Sequence, residues 1–313
     1  MAIVYKESGH LGNALFSTPL VAMPAVVLMG LAYGYICVYN PIAKIAGLIP
    51  FAYGGLTGLC IHEIAFRNKC RNSLFMLGMG AVCGVLAVYC SWVGFIYALA
   101  HHGSSPSTNI TLMGLFFDPF EVLGIAEQIN VTGWVTISNS TPSGLFLWFA
   151  WATEAAIIAG FATFVPYLSN KRVFCEFCDR WCEQSIDLAR FRDALKPEQA
   201  TRLADGDLNV LAELPANPKS VYPYLRLDSQ RCHQCNETAV FQVNRMTLVP
   251  GKNGATSESA KALTKRIVLT EDSLEQFQAA LAQNAAGAKP ALAQKSAAPG
   301  GTADSGGTTP PAV

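Results

Sequence analysis

The chain has 313 residues, of which 51% are hydrophobic and 14% are charged. Its 22 basic and 22 acidic residues give a formal net charge of zero. The sequence contains no basic patch of the kind that binds DNA or RNA, so we expect no nucleic-acid partner.

The basic residues are unevenly distributed along the chain. Only five of the 22 precede residue 171, and the 99 residues from Asn72 to Asn170 contain none. A water-soluble domain carries charge over its whole surface, so a stretch of this kind indicates a membrane. From residue 171 onward there are 17 basic and 16 acidic residues, which is typical of a domain exposed to water.

Four apolar runs are long enough to cross a bilayer core of about 30 Å as helices. They are Leu20–Tyr39, Ile42–Phe66, Leu74–Ala100 and Leu145–Leu168. Asn40-Pro41 separates the first two and predicts a tight antiparallel hairpin. The sequence therefore predicts an α-helical membrane domain of about four transmembrane helices over residues 20–170, after an N-terminal segment of residues 1–19.

The basic residues near the helix ends predict the orientation of the chain. Three of them lie in the 67–73 loop between the second and third helices, three more follow the fourth helix, and residues 101–144 contain none. Because cytoplasmic loops are enriched in lysine and arginine, this pattern places both termini in the cytoplasm. We expect a multi-pass protein embedded in the lipid bilayer of a prokaryotic inner membrane.

The external segment between the third and fourth helices contains a helix of its own. Asp118-Pro119-Phe120-Glu121 combines a capping carboxylate, proline at the first helical position and Glu121 at the capping-box position. The helix predicted over residues 118–130 has an apolar face and a face with Glu127 and Gln128. We expect it to lie on the outer membrane surface, with a partner-docking or lid role as the alternative.

Glycines four residues apart occur in three of the four predicted spans. They are Gly30 and Gly34, Gly54 and Gly58, and Gly80 and Gly84. Small residues at this spacing line one helix face and let helix backbones approach closely in a membrane. The pattern predicts a tightly packed bundle, formed within one chain or between the copies of a homo-oligomer.

Glu154 lies well inside the fourth predicted span. A carboxylate in the bilayer costs several kcal/mol unless it is neutral or paired, which makes Glu154 a candidate for a functional residue. The alternative is a structural role, in which Glu154 is protonated or hydrogen-bonded to Tyr33, Tyr53 or Tyr97 and joins helices.

Two CxxC knuckles follow the fourth predicted span. The first is Cys175-Glu-Phe-Cys178 and the second is Cys232-His-Gln-Cys235. A gap of two residues lets both sulfurs of a knuckle reach one ion, and four thiolates match the tetrahedral preference of Zn²⁺. The predicted orientation places these cysteines in a reducing compartment, which disfavours disulfides. We predict one structural zinc ion held by the four cysteines, in preference to a redox or iron–sulfur site.

Two further residues near the knuckles are reserve metal ligands. Cys182 follows Cys178 at a spacing of four, so on a helix the two side chains would face the same way. Cys182 would then replace a ligand, or it would pack beside Trp181 as a small apolar side chain. His233 lies inside the second knuckle.

The residues after the second knuckle predict two strands. Ala239–Val249 and Lys265–Thr270 are β-prone, with Phe241, Val243 and Ile267 available for a small core. Together with the knuckles, these segments resemble a zinc-ribbon domain over residues 171–270 only.

The resemblance implies a small α+β domain whose metal is structural. The glycine that usually follows each knuckle of a zinc ribbon is replaced here by Asp179 and Asn236. This difference leaves the ribbon subtype open.

Two helices are predicted in the cytoplasmic domain. The first carries Leu188, Phe191 and Leu195 at core spacing and ends before Pro197. The second begins at the cap Thr270. Its buried residues are predicted to be Leu274, Phe277 and Leu281.

The cytoplasmic domain is predicted to cover residues 171–282, and a disordered tail of residues 283–313 follows it. The tail is rich in alanine, glycine, proline, serine and threonine, which cannot form a packed core. A domain of this size with so few core residues would gain much of its stability from a bound metal.

A closed four-thiolate site has no open position for a substrate, so it is structural rather than catalytic. The sequence therefore predicts a membrane-anchored scaffold or adaptor that binds other membrane or cytoplasmic proteins. The alternative is a small transporter or channel component that uses Glu154 as its coupling carboxylate. An enzyme is the weakest reading, because no nucleophile–base pair, phosphate loop or open metal site stands out.

Overall fold

A computed structural model describes the chain except for seven internal gaps and a gap at each end. The described residues are 3–39, 47–102, 110–133, 141–169, 172–217, 221–235, 237–251 and 256–287. They form two compact units, which we call the helical unit (Lys6–Trp181) and the sheet unit (Met1–Tyr5 with Cys182–Val313). The predictions about Asn40-Pro41 and residues 288–313 lie outside the described residues.

The helical unit is built from four long helices and two shorter ones within the described residues. They are α1 (Ala14–Tyr39), α2 (Ile49–Arg67), α3 (Ser73–Ala100), α4 (Leu112–Phe117), α5 (Pro119–Thr132) and α6 (Gly144–Ser169). Three of these, α1, α3 and α6, are long and apolar enough to cross a membrane. The helix α1 begins six residues earlier than predicted, and α2 begins seven residues later.

The paired glycines lie where the long helices cross. A β-carbon added at Gly58 of α2 would lie 2.7 Å from the carbonyl oxygen of Phe161 on α6, closer than real side chains approach. At the other five glycines of the three motifs, an added β-carbon would likewise lie against a neighbouring helix. Gly30 and Gly34 face α3, Gly54 faces α6, and Gly80 and Gly84 of α3 face α6. The three glycine motifs therefore serve contacts within one chain.

The helix predicted over residues 118–130 is present as α5. The carboxylate of Asp118 accepts hydrogen bonds from the backbone N–H groups of Phe120 and Glu121, both at 3.0 Å. This is the predicted N-cap. The buried residues of α5 include Val122 and Ile129, which pack with Ile96 of α3. The preceding helix, α4, was not predicted.

The sheet unit contains a six-stranded antiparallel sheet. Its strands are β1 (Ile3–Val4), β4 (Glu183–Arg192), β5 (Tyr224–Arg231), β6 (Ala239–Pro250), β7 (Thr256–Ala262) and β8 (Ile267–Leu269). The order across the sheet is β1-β8-β6-β5-β4, and β7 also pairs with β6. Two more strands, β2 (Phe174–Cys175) and β3 (Arg180–Trp181), form a hairpin in the helical unit.

One face of the sheet carries the hydrophobic core of this unit. Residues 208–213 and the helices α7 (Pro197–Ala204) and α8 (Glu271–Gly287) contribute to it. The predicted core residues are buried at this face. They are Phe241, Val243, Ile267, Leu274 and Phe277, with Leu281 partly buried against them. The predicted strands after the second knuckle and the predicted last helix are therefore confirmed, and that helix continues to Gly287.

The helix predicted around Leu188 and Phe191 is wrong, because these residues belong to β4. Phe191 is buried, but Leu188 is half exposed. The register between β4 and β5 shifts between Ser185 and Ala189, and Asp187 has a positive φ of 69°. This bulge interrupts the two-residue alternation of a strand and produces an apolar spacing that imitates a helix. Pro197, which was expected to follow a helix, is the first residue of α7.

The N-terminal residues do not form the separate segment that the sequence predicts. The strand β1 pairs with β8 in the sheet unit, where Ile3 lies opposite Val268 and Val4 lies opposite Ile267. The backbone N–H of Tyr5 continues this contact by donating to the carbonyl oxygen of Arg266 at 2.8 Å. Two residues of β-branched type at the start of a chain are too short a pattern to predict a strand.

Candidate metal centre

The first knuckle is a short hairpin rather than part of a helix. Cys175 ends β2, Cys178 lies in the turn, and β3 returns with Arg180 opposite Cys175. The turn closes at Asp179, which has a positive φ of 50°. Glycine adopts this conformation without strain, and aspartate is among the few other residues that tolerate it. Asp179 thus fills the place of the usual knuckle glycine.

The hairpin packs on the loop between α2 and α3, within the helical unit. The Lys69 ammonium group donates to the Asp179 carboxylate, and the Arg71 guanidinium donates to the Glu176 carboxylate. The Trp181 indole N–H donates to the carbonyl oxygen of Phe66 at 3.0 Å. Two acidic residues of the knuckle therefore neutralise two of the basic residues that follow α2.

Aromatic contacts complete this packing. The rings of Phe66 and Trp181 stack with their centroids 4.6 Å apart. The Arg71 guanidinium carbon lies 4.1 Å from the centroid of the Phe174 ring. A cation held over a ring face is stabilised by the ring quadrupole. The position of Cys175 and Cys178 is thus set by contacts on both sides of the hairpin.

The second knuckle follows β5 in the sheet unit. Cys232 is buried, and its backbone N–H donates to the carbonyl oxygen of Thr238 at 3.0 Å. This hydrogen bond joins the end of β5 to the residue before β6, so the knuckle occupies the connection between two paired strands. Cys235 lies in the turn of that connection and is half-buried.

The four knuckle cysteines form one cluster. The sulfur atoms of Cys175, Cys178, Cys232 and Cys235 all lie within 4.8 Å of one another. Four thiolates bound to zinc at about 2.3 Å in tetrahedral geometry have sulfurs about 3.8 Å apart, so a small inward movement would complete the coordination. Cys175 and Cys232 are buried, while Cys178 and Cys235 are half-buried. The donor set and its spacing fit a zinc-ribbon-like metal site.

Cys182 and His233, the two reserve metal ligands predicted from the sequence, are not members of the four-cysteine cluster. Cys182 follows the strand β3, so it does not share a helix face with Cys178 as predicted. Its side chain is buried, and it is not a member of the four-cysteine cluster. The imidazole Nε2 of His233 lies 3.3 Å from the carboxylate of Glu183, and its side chain points mostly to solvent. The prediction that Cys182 and Cys178 lie on one helix face is wrong, because a hairpin separates them.

Glu154 lies apart from the cysteine cluster, inside the helical unit. The Tyr33 hydroxyl of α1 donates to the Glu154 carboxylate of α6. The Tyr33 ring also stacks on the ring of Tyr53 of α2, with centroids 4.4 Å apart. The pair therefore connects two long helices and contacts a third, and Tyr33 was one of the three tyrosines predicted as its partner.

The contacts of the knuckle with the α2–α3 loop were not predicted from the sequence. The negative charges of Glu176 and Asp179 could have indicated these contacts. Both residues lie beside knuckle cysteines, and their charge is opposite to that of Lys69 and Arg71.

Compared with known proteins, the chain matches no protein-family profile, no curated sequence and no solved structure.

Proposed function

We propose that this protein is a membrane-anchored scaffold or adaptor subunit whose cytoplasmic domain is stabilised by one structural zinc ion. The observation that carries the proposal is the cluster of four cysteine sulfurs within 4.8 Å of one another. Such a site has a full set of protein ligands and leaves no position for a substrate or water. A zinc ion there would maintain the shape of a surface rather than perform chemistry.

The choice of zinc follows from the ligands and from the proposed compartment. Four cysteines without histidine or carboxylate suit Zn²⁺ or iron–sulfur chemistry, and structural zinc sites are commonly of this Cys₄ type. Thiols stay reduced in the cytoplasm and are available as thiolates for a metal. Metal binding would also supply folding free energy to a small domain.

The pairing of β1 with β8 supports an even number of membrane crossings. Residues 3–4 precede all the long helices and residues 267–269 follow them, yet the two strands are hydrogen-bonded neighbours. This pairing supports a topology in which the chain leaves and returns on the same side of a membrane. Three helices are long and apolar enough to span a membrane. An even number of spans therefore requires one more helix, and α2 is the candidate.

The helix α2 has the length and contacts of a fourth span. Its 19 residues extend about 28 Å at 1.5 Å per residue, close to the thickness of a bilayer core. The residues before α1 contact the loop after α2, where the Arg71 N–H donates to the His10 carbonyl oxygen at 2.8 Å. The start of α1 and the end of α2 thus lie at the same end of the helical unit, as a pair of antiparallel spans requires.

The basic residues orient this bundle. Arg67, Lys69 and Arg71 lie at the end of the helical unit that also carries the first knuckle. The next 99 residues contain no lysine or arginine. The positive-inside rule assigns the basic end to the cytoplasm, which supports a prokaryotic inner-membrane protein with both termini inside.

The zinc proposal is tested by metal analysis of the purified full-length protein. We expect about one zinc per chain, and Cys232→Ser should abolish it and make the sheet unit sensitive to protease. Cys60→Ser is the matched control, because Cys60 is a half-buried cysteine of α2 outside the cluster. Iron in place of zinc, or no metal in the wild-type protein, would reject the proposal.

The adaptor role is tested by the partners of the intact protein in its own membrane. We expect defined membrane or cytoplasmic proteins to co-purify in fixed ratio with the wild-type chain and to be lost with Cys232→Ser. A wild-type chain that purifies alone under mild detergent, while keeping its zinc, would remove the support for an adaptor.

A transporter or channel component is the second candidate, because of the Tyr33–Glu154 contact. A carboxylate between apolar helices is the group that proton- or ion-coupled transport uses. Under this alternative, Glu154→Gln abolishes an ion-dependent flux. Under the scaffold proposal, Glu154→Gln keeps a hydrogen-bond acceptor for Tyr33 and leaves the function intact.

A further inference from the structure

Cys182 lies directly before β4, in the same unit as the second knuckle. At this end of the sheet, Glu183 of β4 pairs with Arg231 of β5, and the next two pairs along β4 keep the same register. One position further out, this register places Cys182 opposite Cys232. Both side chains are buried, with exposed fractions of 3% and 1%. The sheet therefore brings a fifth cysteine beside a member of the four-cysteine cluster.

The backbone hydrogen bonds show which kind of cross-strand pair these two cysteines form. The N–H of Cys232 donates to the carbonyl oxygen of Thr238, on the side of β6. The N–H and C=O of a strand residue point to the same neighbouring strand, so Cys232 and Cys182 are a non-hydrogen-bonded pair. The Cα atoms of such pairs lie about 4.5 Å apart. A disulfide joins Cα atoms about 4.4–6.8 Å apart, so these two sulfurs can be joined without a large backbone movement.

The cysteines of the sheet unit differ in their exposure to solvent. Cys182 and Cys232 are buried, whereas Cys235 is half-buried. A small oxidant in solution therefore reaches Cys235 first. Thiolates, rather than thiols, react with oxidants, and cysteines bound to a metal are thiolates. Cys182 lies behind them, opposite the buried member of the second knuckle.

We propose that Cys182 and Cys232 are an oxidation site, at which a peroxide converts the cross-strand pair into a disulfide and removes one ligand from the zinc ion. This inference rests on the proposed function, because it takes Cys232 as a zinc ligand. Disulfides in the cytoplasm are usually transient and redox-sensing. The site therefore agrees with a reducing compartment in which the cysteines bind metal until an oxidant appears.

The reaction consumes one peroxide molecule. The Cys235 thiolate attacks a peroxide oxygen, the O–O bond breaks, and a sulfenic acid and a hydroxide ion form. The Cys232 thiolate attacks the Cys235 sulfur and expels a second hydroxide ion. Cys182 gives its proton to one hydroxide ion and attacks the Cys232 sulfur, and Cys235 leaves as a thiolate. The peroxide thus takes two electrons, and the products are the Cys182–Cys232 disulfide, one water molecule and one hydroxide ion.

The number of remaining ligands favours this product over a disulfide within the second knuckle. A Cys232–Cys235 disulfide leaves the cluster with two thiolates, whereas the Cys182–Cys232 disulfide leaves Cys175, Cys178 and Cys235. Structural zinc sites have four protein ligands, so zinc is held more weakly after the oxidation. The oxidised protein then loses its zinc to a chelator.

The test is treatment of the full-length, zinc-loaded protein with hydrogen peroxide in detergent, followed by alkylation and tandem mass spectrometry of the unreduced peptides. Trypsin cuts after Arg180 and Arg190, which leaves Cys182 as the only cysteine of its peptide. We expect a cross-link from Cys182 to Cys232 and release of zinc to a chelator that leaves the reduced protein intact. Dithiothreitol with added zinc should restore the metal.

Two variants separate the oxidation site from general damage. Cys182→Ala should bind as much zinc as the wild-type protein before oxidation, because Cys182 is outside the cluster, and it should lose the cross-link. Cys70→Ser is the matched control and should keep the cross-link. Cys70 is a buried cysteine of the helical unit and is also outside the cluster.

Three outcomes would overturn this inference. They are full alkylation of Cys182 after the wild-type protein has lost its zinc, a cross-link from Cys182 to a cysteine other than Cys232, and loss of zinc from Cys182→Ala before oxidation. The zinc content of the untreated wild-type protein is a separate readout. An untreated protein without zinc would reject the proposed function, whereas full zinc without a Cys182–Cys232 cross-link after oxidation would reject the oxidation site alone.

Discussion

Val4 lies opposite Ile267 in an antiparallel ladder, so the first and the last of the described strands share one sheet. Between these two residues the chain passes through the whole helical unit. The sheet unit is therefore completed by residues that the sequence assigns to a different segment. The same pairing supports the proposed even number of membrane crossings.

Deletion of residues 2–5 should destabilise the sheet unit. The deletion removes the edge hydrogen bonds of β1, including that from Tyr5 to Arg266, and exposes the strand β8. We expect a loss of about 1–3 kcal/mol. The measurement is limited proteolysis of the purified protein against temperature. Val4→Thr keeps the backbone ladder and should change little; an unaltered midpoint for the deletion would show that β1 contributes nothing.

Reporter fusions should detect the chain after residue 287 on the cytoplasmic side and residue 107 on the opposite side. Green fluorescent protein fused after residue 287 is expected to fluoresce, and the same protein inserted at residue 107 is expected not to. Alkaline phosphatase at these positions should give the opposite pattern, because it is active only outside the cytoplasm. An active phosphatase after residue 287 would put that end of the chain outside the cytoplasm and would contradict the proposed orientation.

Gly58→Ala should destabilise the helical unit, whereas Gly55→Ala should not. The new β-carbon at Gly58 would lie 2.7 Å from Phe161 O and from Val165 Cβ, but at Gly55 it meets nothing within 4 Å. We expect Gly58→Ala to cost about 1–3 kcal/mol and Gly55→Ala to be neutral or to gain up to about 1 kcal/mol of helix propensity. The midpoint of thermal unfolding in detergent measures the stability of both variants. Equal midpoints would contradict the close contact of α2 with α6.

Asp187→Asn should lower the stability of the sheet unit without changing the bulge in β4. The hydrogen bond from the Arg190 guanidinium holds the pKa of Asp187 below its ordinary value. Stability from a lowered pKa is present above the ordinary pKa of an aspartate and is lost only as the pH falls through the lowered one. The difference in melting temperature between wild type and variant should therefore stay constant from about pH 5 to pH 8.

Asparagine tolerates the positive φ at position 187, so this substitution separates charge from backbone strain. Asp187→Ala loses the charge and adds that strain, and it should melt at a lower temperature than Asp187→Asn. A wild-type melting temperature for both variants would show that neither the ion pair nor the bulge residue stabilises the sheet.

Much of the helical unit follows from the sequence, because long apolar runs have few alternatives. The helices α3 and α6 begin and end within a residue of their predicted limits. The cap at Asp118 is also local, since its carboxylate bonds to the next two or three residues. Local patterns of this kind depend on no distant part of the chain.

The parts that could not be predicted depend on distant residues or on a single unusual backbone angle. The bulge at Asp187 shifts the alternation of side chains along β4, so the spacing of its apolar residues resembles that of a helix. The partner of β1 lies more than 260 residues away. For the cysteines, the spacing predicted the four members of the cluster, but the hairpin of Cys175 and Cys178 depends on Trp181 and Phe66.

The ion pairs of Lys69 and Arg71 have a consequence for the order of events during synthesis. Their carboxylate partners, Asp179 and Glu176, occur 110 and 105 residues later in the chain. Because translation proceeds from the N-terminus, under the proposed topology both cations would still lack these partners while α2 and α3 enter the membrane. The loop would thus carry its full positive charge when the orientation is decided. The knuckle would neutralise that charge only after the last span has been made.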